Sequence, residues 1–485
     1  MEIVNKTKRL AYNSLIYSIG TFLPVLVNFI LIPLYTRYLS TDDYGIMSIA
    51  DIITKITTIL LAMGLPVTIV RFYYDFKDNP YSAKKYLGAI ISFVVLIGLT
   101  VSGILTIWGE GLFKYFLSEK SALFNPYIIM AIWTSFFALT SSIIANWYQA
   151  KSMPWYHVII TSINFLTLTS LMVYFVVLQN GGALGAIKAG LVSSIFVFII
   201  MIPIIIKESR LNLSLKRIAP SLKFSLPLIP VSLASWLLIF IDRILLERYT
   251  NLSQVGIYSL GYSAGMVMML IVASIHKAWA PFFFTRLKNG FGVKLFGEIT
   301  TYYIALVSLI GLFGSLFSKE LIMLLTTPDY YNAYTLVPLV ILGYIFYGFY
   351  NVVTTPLFYK KKTNLILIYT LISVIVNIGL NIWWIPLFGM IGAAYATAVS
   401  YFVLFILGIV SSQKNMKVPY QYSKMLGILA ITGTIYICIL QLFDDSILIK
   451  SLGIIVYILA LYIFGIINKN DISKIYKTLN RHENN

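Results

Sequence analysis

Apolar residues are gathered along this chain into runs of about 20 or more, the length at which an α-helix crosses the hydrocarbon core of a bilayer. Such a window predicts spans near 10–36, 45–72, 86–108, 124–147, 155–178, 183–206, 223–247 and 254–284. Six more follow near 294–318, 332–358, 363–386, 389–411, 422–443 and 446–467. The fold class predicted is therefore an all-α integral membrane protein with about fourteen transmembrane helices. No polar loop between spans exceeds about 20 residues, which leaves no room for an extramembrane catalytic domain.

Composition agrees. Of 485 residues, 59% are apolar and 11% charged, against about 45–50% and 25% in soluble domains, and the mean hydropathy is +0.86. An ordinary globular enzyme is excluded. The single cysteine, Cys438, rules out a disulfide framework or a cysteine-based metal site within one chain. The basic patch Lys6, Lys8 and Arg9 precedes an apolar run too long for a removable signal and without a small-residue cleavage site, so that run is read as the first span.

The net charge of +18 would suggest nucleic acid in a soluble protein; here its distribution matters first, because cytoplasmic loops collect Lys and Arg. With the N-terminus inside, inner segments hold twenty-five basic residues, among them Lys77, Lys84, Lys85, Lys207, Arg210, Lys216, Arg217, Lys360–Lys362, Lys414, Lys417, Lys469, Lys474, Lys477 and Arg481. Outer segments hold six: Arg37, Lys114, Lys120, Arg248, Lys319 and Lys450. Acidic residues such as Asp42, Asp43, Glu110, Glu119, Glu320, Asp329, Asp444 and Asp445 share that outer side. Both termini are expected in the cytoplasm, and no nucleic-acid partner is inferred.

A repeat runs through the chain. RYLSTDDYGIMS (37–48) matches RYTNLSQVGIYS (248–259) at Arg, Tyr, Gly, Ile and Ser with an offset of 211. YQAK (148–151) maps onto YKKK (359–362) at the same offset, and GALGAIKAGLVS (182–193) onto GMIGAAYATAVS (389–400) at 207. The predicted organisation is two parallel six-helix repeats plus a two-helix C-terminal extension: lobes 1–206 and 223–411, a cytoplasmic linker 207–222, and the extension with its tail at 412–485. Parallel repeats of this kind bind substrate at their interface near the midplane and work by rocking. Gly185 and Gly392, with flanking alanines, read as close helix contacts.

RYLSTDDYGIMS, and FIDRILLERYTNLSQVGIYSLGY (240–262), resemble the polysaccharide-transporter family, the Wzx-type oligosaccharide flippases of the multidrug/oligosaccharidyl-lipid/polysaccharide exporter superfamily. The resemblance covers essentially the whole chain. It implies movement of an undecaprenyl-pyrophosphate-linked oligosaccharide from the inner to the outer leaflet of the bacterial cytoplasmic membrane, for O-antigen, capsule or a related polymer. It also implies membrane lipids and a glycan polymerase as partners. The lipid II flippase of the superfamily shares the fourteen-span plan, whereas its multidrug exporters usually have twelve.

Ionisable groups inside spans cost several kcal/mol unless paired or hydrated, which makes them the candidate site. Asp51 and Lys55 stand four apart, hence on one face of the second span, with Lys55 about 15 Å deep. Lys55 is either a cavity-lining cation for the pyrophosphate, held by Asp51, or half of a structural ion pair. Arg71 is either a grip on the entering diphosphate or one more positive-inside residue. His276 and Lys277 in the eighth span point about 100° apart, so one of the two is expected to face a cavity. Asp242, Arg243, Glu247 and Arg248 cluster at the outer end of the seventh span as a gate or ion-pair network, with an Arg243–Glu247 pair expected. Lys188 is a lesser candidate, able to snorkel, and His157 receives no role. Prolines 24, 33, 66, 227, 230 and 281 are expected to kink the first two helices of each repeat.

Walker A and HExxH motifs are absent, and the one GxSxG string, GYSAG at 261–265, lies inside an apolar predicted span and not at a strand-to-helix elbow. A secondary transporter without cofactor is expected, not an enzyme. An inside-negative potential, about 2.3 kcal/mol per charge per 100 mV, would drive an anion outward; proton or sodium exchange through Asp51 or Asp242 is the competing coupling. The alternatives are a multidrug cation/H+ or Na+ antiporter, a lipid II flippase, and a membrane glycan polymerase. Five basic against two acidic residues inside spans weigh against the first.

Overall fold

The computed structural model describes residues 29, 31–76, 78–118, 124–288, 293–442 and 446–467, without the side chains of Pro281 and Arg286. Most of the first predicted span lies outside the described residues, as do Lys6, Lys8, Arg9, Pro24, Lys77, Glu119, Lys120, Asp444, Asp445, Lys469, Lys474, Lys477 and Arg481. Every regular element among the described residues is helical. Among the described residues eleven helices are long and apolar enough to cross a membrane, and Ile447–Ile463 is a shorter apolar one. By Cα proximity the chain divides into two compact units, Met1–Ser259 and Leu260–Asn485.

In the first unit the chain runs through α1 (Ile32–Tyr38), α2 (Thr41–Ala62), α3 (Leu65–Phe76), α4 (Pro80–Phe116), α5 (Ile129–Ala150), α6 (Pro154–Met172) and α7 (Gly182–Glu208). Then come a short α8 (Leu215–Ser225), α9 (Leu228–Tyr249) and the start of α10 (Leu252–Gly265). Local chemistry sets the boundaries. Ser40 opens α2 with a capping box: its hydroxyl accepts from the Asp43 N–H at 3.1 Å, and the Asp43 carboxylate accepts from the Ser40 N–H at 3.1 Å. Asn79 caps α4, with Pro80 at its first position. Between α2 and α3 the chain turns through left-handed Met63 (φ 48°) and Gly64 (φ 69°). The core of this unit packs Tyr86, Leu87, Ile90, Ile144 and Trp147, all at most 1% exposed.

The predicted linker 207–222 is not simply a connection, since α8 occupies its second half and buries Ile218, Ser221 and Ser225. The Tyr86 and Ser221 hydroxyls hydrogen-bond at 2.7 Å, fastening α8 to α4.

The second unit continues with α11 (Val267–Lys288), α12 (Lys294–Leu316), α13 (Ser318–Leu325), α14 (Val337–Val353) and α15 (Thr355–Tyr359). A 53-residue run, α16 (Thr363–Asn415), precedes α17 (Tyr422–Leu442) and α18 (Ile447–Ile463). At about 1.5 Å per residue α16 would extend roughly 80 Å; it bends at Gly389 (φ 57°, ψ −136°) into two helices, as the predicted spans 363–386 and 389–411 require. Lys450, buried in α18, is held to Glu320 of α13 at 2.5 Å.

The proline expectation fails at most of its positions. Pro33 sits in the first turn of α1, Pro66 at the start of α3, and Pro227 is the N-cap of α9 with Pro230 just inside it. A proline in the first turn removes an N–H that has no helical partner anyway, so it starts a helix and does not kink it. The side chain of Pro281 lies outside the described ones. The breaks fall instead at Met63–Gly64 and at Gly389, where the backbone turns left-handed.

Candidate functional site

Both copies of the repeated motif lie in the first unit, and they pack on each other. A Cβ on Gly45 of α2 would collide with the Leu252 carbonyl, and one on Gly256 of α10 with the Thr41 carbonyl. Gly45 and Gly256 are repeat partners, as are Thr41 and Leu252, so the crossing is reciprocal. Three residues on, the Ser48 and Ser259 hydroxyls hydrogen-bond at 2.6 Å, and Ser253 donates to Thr41 Oγ1 at 2.8 Å. Absent side chains at the glycines let the two backbones meet, the small-residue logic of helix contacts in membranes. The glycine and serine shared by the two copies therefore form the contact itself.

Three and seven residues after Ser48 on α2 stand Asp51 and Lys55. Lys55 Nζ lies 2.6 Å from Asp51 Oδ2, confirming the pair that the four-residue spacing predicts. The pair is not sealed: the side chains are 45% and 54% accessible. The Lys55 ammonium is also 4.7 Å from the centre of the Phe240 ring on α9, within cation–π range. The same ring has the Arg243 guanidinium at 5.1 Å.

From Phe240 the charges continue into the interior of the unit. Asp242, Arg243 and Glu247 are 1%, 3% and 3% exposed. Arg243 Nη1 donates to Asp242 Oδ1 at 2.9 Å and to the Ile239 carbonyl at 2.6 Å. Asp242 also accepts a short hydrogen bond from the Tyr258 hydroxyl of α10. Glu247 takes Ser118 by both groups, the N–H at 2.9 Å and the hydroxyl at 2.6 Å. Arg248 donates to the Tyr115 carbonyl at 2.6 Å. Buried charges need this degree of saturation, since an unpaired one would cost several kcal/mol. The end of α9 is thus bolted to the end of α4 and to α10.

The remaining candidates lie apart from this chain of contacts. Arg71 on α3 is exposed and 3.6 Å from Asp75, one turn on. Lys188 is exposed, with its ammonium 6.0 Å from the Phe175 ring. His276 and Lys277 are on α11 in the second unit; Lys277 is exposed, while His276 is half-buried with an unpartnered, buried Nδ1.

Sequence reading missed Phe240, Tyr258 and Ser118, which complete the network, and gave Asp43 only a place among outer charges. Asp43 Oδ1 accepts from the Ala183 N–H at 2.9 Å while Oδ2 serves the Ser40 cap. One carboxylate thus faces the N-termini of α2 and α7, both favourable for an anion. Gly182, at φ 53°, carries the turn that brings α7 to it. Its repeat partner Gly389 is also left-handed, at φ 57°. The expected close contacts are present: a Cβ on Gly185 would press on the Phe175 carbonyl, and one on Gly392 on the Trp384 carbonyl.

Helices of this length and apolarity, built on a duplicated helix start, make the chain a multi-pass membrane protein. Residues 10–286 match the family model described as polysaccharide biosynthesis protein, and the chain belongs to that family. It is similar to an uncharacterized membrane protein of Haemophilus influenzae, with 24% identity over 58% of this chain and 67% of the relative. An uncharacterized membrane protein of Methanocaldococcus jannaschii is 22% identical over 94% of this chain and 96% of its own length. Among solved structures, the lipid II flippase MurJ in an inward closed conformation matches with a TM-score of 0.73 at 18% identity, covering 93% of this chain and 98% of that one. An inward-facing multidrug resistance transporter of the MATE family and MOP superfamily matches with 0.64 at 12% identity, covering 83% and 97%. The fold is that of these flippases and transporters.

Proposed function

We propose that this protein is a flippase carrying an undecaprenyl-pyrophosphate-linked oligosaccharide from the inner to the outer leaflet of a bacterial cytoplasmic membrane. It works by alternating access of two six-helix lobes, with both termini in the cytoplasm. The observation that carries the reading is Lys55, a cation well inside a membrane-spanning helix whose charge is only partly answered. Asp51 and the Phe240 ring hold it in place, yet its side chain stays 45% accessible. Intramembrane cations left open in this way mark anion pathways, and a diphosphate is the anion that membership of a polysaccharide biosynthesis family makes the natural cargo.

In this reading Lys55 meets the pyrophosphate, Arg71 grips it on entry, and His276 or Lys277 receives it at another depth. Buried Asp242, Arg243 and Glu247, with exposed Arg248, form the fixed outer end of α9. The membrane potential drives the anion outward. The fold shared with the lipid II flippase favours a polyprenyl-diphosphate cargo of some kind, so lipid II itself is the second reading.

The test is the lipid-linked glycan pool of a deletion strain. Accumulation of an undecaprenyl-pyrophosphate oligosaccharide on the cytoplasmic side, relieved by the wild-type gene, is the expected result. Accumulation of lipid II would move the assignment to the second reading. An unchanged pool with increased sensitivity to organic cations would overturn both in favour of a drug exporter.

A further inference from the structure

The turn that leaves α7 is built with more care than a connection needs. Between Ser209 (φ −123°, ψ 163°) and Ser214 (φ −120°, ψ 95°), residues 210–213 have no helical or turn backbone hydrogen bond, and the two flanking serines have extended backbone angles. Leu211, Leu213 and Leu215 are about 60% exposed in alternation (62%, 58% and 60%), while Asn212 turns inward. The Asn212 amide donates to the Lys85 carbonyl at 3.0 Å and to the Arg210 carbonyl at 2.8 Å. The Arg210 N–H donates to the Lys84 carbonyl at 3.0 Å, and Lys84 Nζ to the Lys207 carbonyl at 2.7 Å. Gly88 permits this docking, because a Cβ there would occupy the Arg210 carbonyl.

The outcome is a pair of fixed cations. Lys85 Nζ and the Arg210 guanidinium lie 4.3 and 4.6 Å from the centre of one exposed ring, that of Tyr81. Among the described residues no carboxylate stands within 4 Å of Lys84, Lys85, Lys207 or Arg210; Glu208 next door is taken by Lys151 and Trp147. Two like charges drawn to one ring repel, and an anion between them reverses the sign of that interaction. Topology alone asks for cations on this side but not for backbones clamped so that two of them converge.

We propose that this corner binds the phosphodiester headgroup of an anionic phospholipid, with Lys85 and Arg210 taking the phosphate over Tyr81 and Leu211, Leu213 and Leu215 lying against the acyl chains. Basic pockets at the ends of membrane helices hold anionic headgroups by this combination of charge and adjoining apolar surface. The second unit repeats the pattern: Lys207 and Arg210 correspond to Lys414 and Lys417 at the offset of 207. A Cβ on Gly297, 209 residues after Gly88, would likewise collide with the Pro419 carbonyl. There a cavity of about 500 Å³ is lined by Gln413, Lys414, Lys417, Val418, Pro419 and Tyr422.

Native mass spectrometry of the full-length protein, loaded with phosphatidylglycerol or phosphatidylcholine, tests this. Wild type should retain phosphatidylglycerol preferentially, and Lys85→Gln/Arg210→Gln should lower that preference about tenfold. Lys85→Arg/Arg210→Lys should restore it, which also shows that the corner folds. Lys360→Gln/Lys362→Gln removes the same charge from another basic loop and should leave it unchanged. Equal loss in that control, or an unaltered preference in Lys85→Gln/Arg210→Gln, would overturn the proposal. So would displacement of the lipid by excess inorganic phosphate, which would make the corner a site for the free anion.

Discussion

Residues 37–48 and 248–259 can be compared position by position, because one motif is used twice. Ser40 and Asn251, 211 apart, each cap a helix by accepting the N–H three residues on, from Asp43 and Gln254. Gly45 and Gly256 each admit the other helix's backbone. Beyond the motif the copies part. Asp51 and Lys55 form a partly open ion pair, whereas their partners at the same offset are Tyr262 and Met266. Tyr262 is fully buried and accepts from the Tyr344 hydroxyl at 3.0 Å, and Met266 is where α10 gives way to α11. What has been duplicated is packing, which both copies need. What has not been duplicated is the intramembrane Asp51–Lys55 pair, which belongs to one copy and is therefore the better marker of function, whereas the motif arginines Arg37 and Arg248 are shared.

The strongest way to break the comparison is to attack charge where it is sealed. Arg243→Met should destabilise by about 3–5 kcal/mol, since it leaves Asp242 buried beside an apolar neighbour. Apparent melting temperature in detergent reads it, and Asp242→Asn in the same background should return much of the loss. A recovery-free double variant would mean that packing of the arginine stem, and not its charge, holds α9.

Next in size are the glycines. Gly45→Ala and Gly256→Ala should each cost about 1–3 kcal/mol or more, because the obstacle is backbone, and the two losses should be alike. Gly103→Ala, with open space at its Cβ, should gain up to about 1 kcal/mol from helix propensity. Unequal losses at Gly45 and Gly256 would show that the crossing is not reciprocal in energy.

Smaller again are the caps. Ser40→Ala and Asn251→Ala should each cost about 1 kcal/mol. Asp43→Ala should cost more than Gln254→Ala, because Asp43 also serves the Ala183 N–H of α7. Equal losses at Asp43 and Gln254 would leave the second contact without energetic weight.

Much of this was legible in the sequence because it is local or periodic. Span positions follow from run length and the Asp51–Lys55 pair from a four-residue spacing, whereas the helix starts at Ser40 and at Asn79–Pro80 lie several residues before the predicted apolar windows. The repeat was visible as text, although its meaning as a mutual contact was not, since text does not say which copies touch. Phe240, Tyr258 and Ser118 were invisible for a similar reason. Ser118 is 129 residues from Glu247, and a phenylalanine in an apolar run carries no mark that distinguishes it from its neighbours. The prolines misled because their effect depends on place in the helix, and window averages do not resolve the first turn. Asn212 was hidden because an inward amide and an outward one are written with the same letter.

The central claim is that the unduplicated charge, Lys55, touches the cargo. As an accessible pair one turn apart it contributes only a few tenths of a kcal/mol to stability, so function and folding separate cleanly at this residue. The direct measurement is complementation of the deletion strain with Lys55→Ala, Lys55→Arg and wild type at matched membrane levels, reading lipid-linked oligosaccharide on each leaflet. The account predicts that wild type clears the cytoplasmic pool, that Lys55→Arg clears it at least in part, and that Lys55→Ala leaves it as high as the empty vector while folding normally. Full clearance by Lys55→Ala would contradict it and return Lys55 to the role of a structural ion-pair partner.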